Sequence, residues 1–242
     1  MNILVTNDDG INSPGIIKLA NVASKFGNVT VVAPSIQCSA MSQKLTIFDN
    51  IHIHNFDSIA DNIKAFSIDG TPTDCVKTAM QIIMETKPDI VFSGINNGYN
   101  IGYDIAYSGT IGACFEALQF GIPAIAFSKD FGDDFSSVDP FIEGIVNELI
   151  NTPISKNELF NVNFPNCPAN DVRGIIKDAV IAPVMYYKTL YSKELLPDGS
   201  YNLHPESQRA DASSLNANTD ISIISRKYIS IGKVVNPVIF PN

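Results

Sequence analysis

The four cysteines of this 242-residue chain, Cys38, Cys75, Cys114 and Cys167, lie far apart, and none belongs to a C-x-x-C pair. Neither a disulfide framework nor a cysteine zinc site is expected from such spacing. Basic residues are scarce: 16 Lys and Arg stand against 25 Asp and Glu, a formal net charge of −9. An acidic chain repels polyphosphate backbones, which argues against a duplex-binding role. A small phosphate ester stays open as a ligand, because one metal ion reverses the local field. No run of about 18 apolar residues is present, so no membrane-spanning helix is expected. A strand pattern begins at residue 3, so no signal peptide is expected before the fold. These absences together fit a reducing cytoplasm. The G-x-x-x-x-G-K-[ST] sequence is missing, which excludes a P-loop, and the missing G-x-S-x-G elbow counts against a serine hydrolase. There is no repeat and no low-complexity tract.

Apolar residues make up 45% of the chain, enough for a sizeable core. Asn2–Thr6 reads as a buried strand and Val29–Ala33 as another. Between them, Ser13-Pro14 is an N-cap followed by proline at the first helical position. Ile16, Leu19, Ala20, Val22, Ala23 and Phe26 continue as an apolar stripe. Further strands are expected at Leu45–Phe48, Lys64–Ile68, Pro88–Ser93, Ala124–Phe127 and Phe160–Asn163. Helices are expected from Thr71, from Thr110 to Phe120, and over 138–150, with a long polar loop over Gly94–Gly109. Met80, Ile83 and Met84 read as core. The alternation argues for a Rossmann-like α/β fold, a mostly parallel sheet flanked by helices. From about residue 172 the pattern changes. Ala179–Pro183 and Ile221–Ile224 read as β-like, so residues 1–170 form the expected catalytic core and 171–242 a β-rich arm or hairpin extension of the same domain.

Open α/β sheets bind ligands beyond the carboxyl ends of their strands. Three polar clusters follow strands here: Asn7-Asp8-Asp9-Gly10, Ser39 to Ser42, and Gly94-Ile95-Asn96-Asn97-Gly98. Parallel topology brings such ends together. Asp8 and Asp9 are adjacent oxygen anions of the kind that hold a hard divalent cation, Mg²⁺ or Mn²⁺, and Ser39 and Asn96 offer further oxygens. Asn-Asp-Asp-Gly is equally good turn sequence. Ser108, Gly109 and Thr110 open a helix whose free N–H groups and hydroxyls suit a phosphate, with plain helix capping as the alternative. Asn7 and Asn97, in the same clusters, are candidate substrate contacts. Of the three histidines, His52, His54 and His204, the first two alternate on a strand-like stretch and read as exposed strand residues before they read as a metal pair. Tyr186, Tyr187 and Tyr191 form an aromatic group on the arm, packed by default, or available to a partner chain or a base.

These segments resemble the SurE survival-protein nucleotidases. The resemblance runs from Asn2-Ile-Leu-Val-Thr-Asn-Asp-Asp-Gly-Ile11 and Pro14-Gly15 through Val31-Val-Ala-Pro34, Ser39, Ser42 and Leu45-Thr46. It continues in Gly70-Thr-Pro-Thr-Asp-Cys75, Pro88-Asp-Ile-Val-Phe-Ser-Gly-Ile-Asn96, Asn100-Ile-Gly102, Tyr107-Ser-Gly-Thr110 and Gly121-Ile-Pro-Ala-Ile-Ala126. It covers most of residues 1–165 and is sparse afterwards. The resemblance implies 5′/3′-nucleotidase activity dependent on one divalent metal per subunit. It places Asp8, Asp9, Ser39 and Asn96 on the metal-ligand positions and Ser108, Gly109 and Thr110 on the phosphate-binding loop. It also implies a homodimer or homotetramer built through the carboxy-terminal extension. The chain departs from the family pattern at Ser35-Ile-Gln-Cys38, where the family is commonly basic, and at Gly232-Lys-Val234, where Thr-Pro-Leu is usual.

The expected function is therefore hydrolysis of nucleoside monophosphates, with Asp8 and Asp9 as catalytic carboxylates. An aspartyl-phosphate mechanism fits less well, since it wants Asp-x-Asp rather than adjacent aspartates. A non-catalytic nucleotide sensor and an oligomeric scaffold are the readings from other classes.

Overall fold

Strand β1 (Asn2–Thr6) sends Ile3 and Val5 to one side of a sheet and Leu4 to the other, and all three are fully buried. A strand buried on both faces needs a continuous apolar run. A computed structural model describes all residues except 57, 58, 61, 241 and 242. In chain order β1 is followed by α1 (Pro14–Ala23), β2 (Asn28–Pro34), β3 (Ile53–Asn55), β4 (Lys64–Ile68), α2 (Pro72–Thr78), β5 (Ile90–Asn97) and α3 (Gly109–Gln119). Next come β6 (Ala124–Lys129), α4 (Ile142–Leu149), β7 (Glu158–Phe164), β8 (Ile175–Ala179), β9 (Tyr187–Leu195), β10 (Tyr201–Arg209), α5 (Asp220–Ser225) and β11 (Ile229–Val235).

The main sheet has nine strands in the order β3-β4-β2-β1-β5-β6-β7-β11-β8. From β4 to β7 every neighbouring pair is parallel; β3 and β11 run against β4 and β7. One face packs on α1 and α4 through Ile16, Leu19, Ile145 and Val146. The other packs on α2 and α3 through Val76, Ile111, Cys114 and Ala117. Phe92 and Phe127 meet edge-on at 5.8 Å between ring centroids in the first of these layers. Such a pair adds about 0.5–1.5 kcal/mol beyond its buried area.

The caps follow from residue chemistry. Ser13 accepts the Ile16 N–H before α1, with Pro14 in the first turn. Thr71 and Asp74 form a reciprocal capping box on α2. Helix α2 then passes into a π-helical turn over Ala79–Ile83, which buries Met80 and leaves Ile83 and Met84 partly buried against the same layer.

Four local expectations are corrected. Leu45–Phe48 is not a strand: Thr46 is held instead by the Asp74 carboxylate, and Ile47 and Phe48 are exposed without a sheet neighbour. Ile221–Ile224 is helical, not β-like. Alternation suggested a strand, but Asp220, Ile221, Ser222, Ile223 and Ile224 are all buried, and the Asp220 carboxylate accepts the N–H groups of Ile221, Gly102 and Ala182. Burial on every side removes the face pattern that separates helix from strand. Strand β8 ends at Ala179 rather than spanning 179–183. Strand β5 runs on to Asn97, so the expected loop begins only at Gly98. Within residues 171–242, β8 and β11 join the edge of the main sheet, while β9 and β10 form a separate antiparallel hairpin.

Candidate functional site

The sheet order reverses at β1, with β2 on one side and β5 on the other. Such a switch point opens a crevice beyond the carboxyl ends of the strands. All three polar clusters meet there. The Cys38 N–H donates to the Asp8 carbonyl at 2.7 Å, which fastens the Ser39 loop to the end of β1. The Asn97 N–H donates to Asp9 Oδ2 at 2.8 Å, which fastens the end of β5 to the same turn. Gln37 Nε2 approaches Asp9 Oδ1 at 3.5 Å.

Asp8 is buried, and its Oδ1 accepts the Thr110 hydroxyl at 2.6 Å. Burial pushes its carboxyl up to about 7; the Thr110 hydroxyl pulls it back down and the Asp9 charge pushes it further up. Asp9 is also raised, chiefly by burial, against the stabilising Asn97 N–H. Two neighbouring carboxylates in a dry site strain to ionise together unless a positive charge joins them. Gly109 lies directly on Asp8: a Cβ at position 109 would stand 2.9 Å from Asp8 Cβ. Only glycine lets α3 start this close.

Ser108 is the N-cap of α3 and accepts the Ile111 N–H at 3.1 Å. The Thr110 side chain is fully buried and committed to Asp8. The two hydroxyls therefore have structural bonds, the Thr110 N–H also holds the Asp8 carboxylate, and the Ile111 and Gly112 N–H groups go to Ser108, which leaves the Gly109 N–H at the start of α3 without an intrahelical acceptor. The Asn7 amide is spent within the turn, donating to the Gly10 carbonyl at 3.0 Å and to Ser13 Oγ at 2.8 Å. Asn96 donates its amide to the Gly98 carbonyl at 2.7 Å, and its Oδ1 has no donor among the described residues. Ser39 is exposed. Asn97 Oδ1 accepts the Gly132 N–H at 2.8 Å and so orders the loop after β6. The histidines stay outside: His52, His54 and His204 are exposed, with His54 near Asp69 and His204 near Glu194.

Asp8, Ser39, Asn96, Asn97 and Ser108 line one cleft of about 500 Å³, within the roughly 300–1,000 Å³ common for small-molecule sites. Asp9 faces an adjoining pocket of about 190 Å³ that it shares with Gln37 and Lys129. Of the rest of the cleft wall, only Tyr187 and Tyr191 stand out in the sequence, as part of the aromatic group on the arm. Tyr99, Asn100, Asp104 and Phe131 line it from the loops after β5 and β6, and Met185, Tyr187, Thr189 and Tyr191 line it from the arm. The position of Phe131, two residues beyond a parallel strand, was the available signal.

The arm is tied to the core by charge and backbone. Asp130 is buried and receives Arg209 in a bidentate pair at 2.6 and 2.9 Å, with Asn166 Nδ2 at 2.8 Å. Asp104 accepts the N–H groups of Tyr186 and Tyr187, and Tyr187 Oη accepts the Tyr99 N–H at 3.0 Å. Tyr186 and Tyr187 are thus half-buried and packed on Tyr99, whereas Tyr191 is exposed.

The charges test what the site can hold. The residues lining the large cleft include the carboxylates of Asp8 and Asp104 and no Lys, Arg or His. Lys129 is buried beside the smaller pocket, and its amine donates to the carbonyls of Asp130 and Gly132. A phosphate dianion entering this field meets negative charge, and a divalent cation is what would reverse it. Among the described residues no three His, Cys, Asp or Glu side chains gather as a metal cluster. The donor set is instead two carboxylates with neutral Ser and Asn oxygens, which suits a hard cation that keeps several waters.

A family model described as survival protein SurE matches residues 3–182. The 5′-nucleotidase SurE of Thermoanaerobacter sp. (strain X514) is 36% identical over 233 residues, 96% of this chain and 90% of that protein. That of Flavobacterium psychrophilum is 41% identical over 176 residues, 72% of this chain and 68% of that protein. The crystal structure of the SurE protein from Aquifex aeolicus superposes with a TM-score of 0.82 at 32% identity, covering 99% of this chain and 95% of that one.

Proposed function

This chain belongs to the survival protein SurE family, and on that premise we propose that it is a 5′-nucleotidase, a metal-dependent phosphatase that hydrolyses nucleoside monophosphates at the cleft beyond β1 and β5. The observation that carries the reading is the meeting of the Asp8-Asp9 turn, the Ser39 loop, Asn96 and the start of α3 around one cavity.

In this reading Asp8 and Asp9 supply the anionic oxygens, and Ser39 and Asn96 the neutral ones, that hold a single Mg²⁺ or Mn²⁺. Such a cation, when bound, neutralises phosphate charge and lowers the pKa of water. Thr110 keeps Asp8 oriented by its hydroxyl. Gly109 lets the amino end of α3 come close to the phosphate, whose non-bridging oxygens accept the Gly109 N–H and gain from the positive end of the helix dipole. Ser108 holds that end in shape as the cap. A water attacks phosphorus in line, Asp8 or Asp9 takes its proton, and that proton passes on to the departing ester oxygen, which leaves as the nucleoside hydroxyl. Asn97 acts through its backbone N–H, which fixes Asp9, and through its side-chain oxygen, which fixes the loop after β6.

Self-association as a homodimer or homotetramer belongs to the same proposal. The exposed apolar side chains of Leu190, Leu195 and Leu203 on the β9–β10 hairpin support it. A cytoplasmic setting belongs to the proposal as well, supported by four unpaired, buried cysteines.

The test is phosphate release from a panel of nucleoside 5′- and 3′-monophosphates with EDTA and then with Mg²⁺ or Mn²⁺. Release that requires added metal supports the reading; none with either metal overturns it.

A further inference from the structure

We propose that Phe131 is the nucleobase shelf of this site, stacking with the base while Tyr187 and Tyr191 of the arm close the same end of the cleft. The inference rests on the nucleotidase reading and adds where the base goes and how it is chosen.

Phe131 is 60% exposed, yet its backbone and ring are fixed on several sides. Its N–H donates to Asp130 Oδ1 at 3.0 Å, and the Asp130 carboxylate is held in turn by Arg209 and Asn166. The next residue, Gly132, is pinned through its N–H to Asn97 Oδ1 at 2.8 Å. The ring lies over Gly98, where a Cβ would stand 3.1 Å from Phe131 Cζ. It leans on Tyr187 at 5.5 Å between centroids, tilted by 60°. An apolar ring left in water while its surroundings are this ordered is a surface prepared for a partner.

The cleft supplies the partner's chemistry. Asp8, Asn96 and Ser108 line the same cleft as Phe131, Tyr187 and Tyr191. A ligand that joins an anionic group to a flat ring matches that lining. The charged group nearest these rings, Asp104, is spent on the N–H groups of Tyr186 and Tyr187, and no cation lines the cleft. Stacking then dominates recognition. It accepts every base, since each has a π-face, and it favours the larger purine rings.

The test compares AMP with ribose 5-phosphate, which lacks the base, in wild type, Phe131→Leu and Phe131→Tyr. Loss of one stacked base is worth roughly 5- to 150-fold in binding. In Phe131→Leu the AMP to ribose 5-phosphate ratio of kcat/KM falls about ten-fold, mainly through KM for AMP, and Phe131→Tyr restores it. An unaltered ratio, including an equal loss on both esters, overturns the proposal. Adenosine binding, measured by calorimetry on the same proteins, needs no turnover. Weaker binding in Phe131→Leu supports the shelf even if wild type hydrolyses neither ester, a result that sinks the nucleotidase reading alone. Equal adenosine binding in wild type and Phe131→Leu overturns the shelf.

Discussion

Thr110 donates its hydroxyl to Asp8 Oδ1 at 2.6 Å, joining the first turn of α3 to the end of β1 across 102 positions of sequence. The bond is buried and fixes which way the carboxylate faces. Thr110→Val keeps the shape and removes the donor. Metal affinity, followed by titration with Mn²⁺, is expected to fall roughly ten- to hundred-fold, as for other supports of a ligating group. Thr110→Ser restores most of it. Unchanged affinity in Thr110→Val means that Asp8 is oriented by something else.

The neighbouring Gly109 predicts a purely steric effect. In Gly109→Ala the new Cβ meets Asp8 Cβ at 2.9 Å, so α3 or the Asp8 turn must shift. A displacement of about 1 Å at a reacting centre costs on the order of a hundred-fold in rate. We expect kcat to drop by that order while thermal unfolding changes little. Wild-type kcat would show that the crevice relaxes freely.

The layout of the sheet was legible because it depends on local pattern. Asn2–Thr6, Val29–Ala33 and Lys64–Ile68 carry apolar runs that only a doubly covered strand explains, and Ser13-Pro14 and Thr71-Pro72 announce their helices by capping chemistry. That Asp8, Ser39 and Asn96 line one cleft was legible from topology, because parallel strands end on one side; that Asp9 turns to the adjoining pocket was not. What stayed hidden depends on long-range packing. Nothing near Thr110 in the sequence says that its hydroxyl faces Asp8 rather than a phosphate. Ile221–Ile224 alternates like a strand, and only burial on all sides makes it a helix. Phe131 has no motif, since its meaning comes from Gly98 beneath it and the arm beside it.

Acid–base linkage gives a prediction with a definite sign. Burial holds the Asp8 carboxyl at about 7 in the folded, metal-free protein, against about 4 in the unfolded chain. A raised folded pKa means that this group's stabilisation is full below the unfolded value and is lost as pH rises through about 7. The upper bound of the loss is about 4 kcal/mol. With EDTA present, wild type should lose thermal stability relative to Asp8→Asn between about pH 4 and about pH 7. Added Mn²⁺ should raise Tm more at the higher pH, where the carboxylate is ionised. Parallel pH profiles for the two proteins would contradict the assignment.

The Arg209–Asp130 pair is the chief charged tie between the arm and the core, with Asp130 buried and Arg209 half-exposed. Arg209→Met removes the bidentate donor and leaves the carboxylate with Asn166 and one backbone N–H. The cost is expected to be about 1–3 kcal/mol of stability, the usual range for an under-satisfied buried group. Limited proteolysis should cut the hairpin between β9 and β10 faster in that variant. Equal digestion rates would mean that the Asp104 and Tyr187 contacts hold the arm alone.

The account depends most on Asp9 as a carboxylate at the metal and phosphate. Phosphate release from AMP should be measured for wild type and Asp9→Asn, with EDTA and with saturating Mn²⁺. Wild type is predicted to turn over only with the metal, and Asp9→Asn to be inactive under both conditions. Wild-type turnover by Asp9→Asn, or full activity in EDTA, would contradict the account.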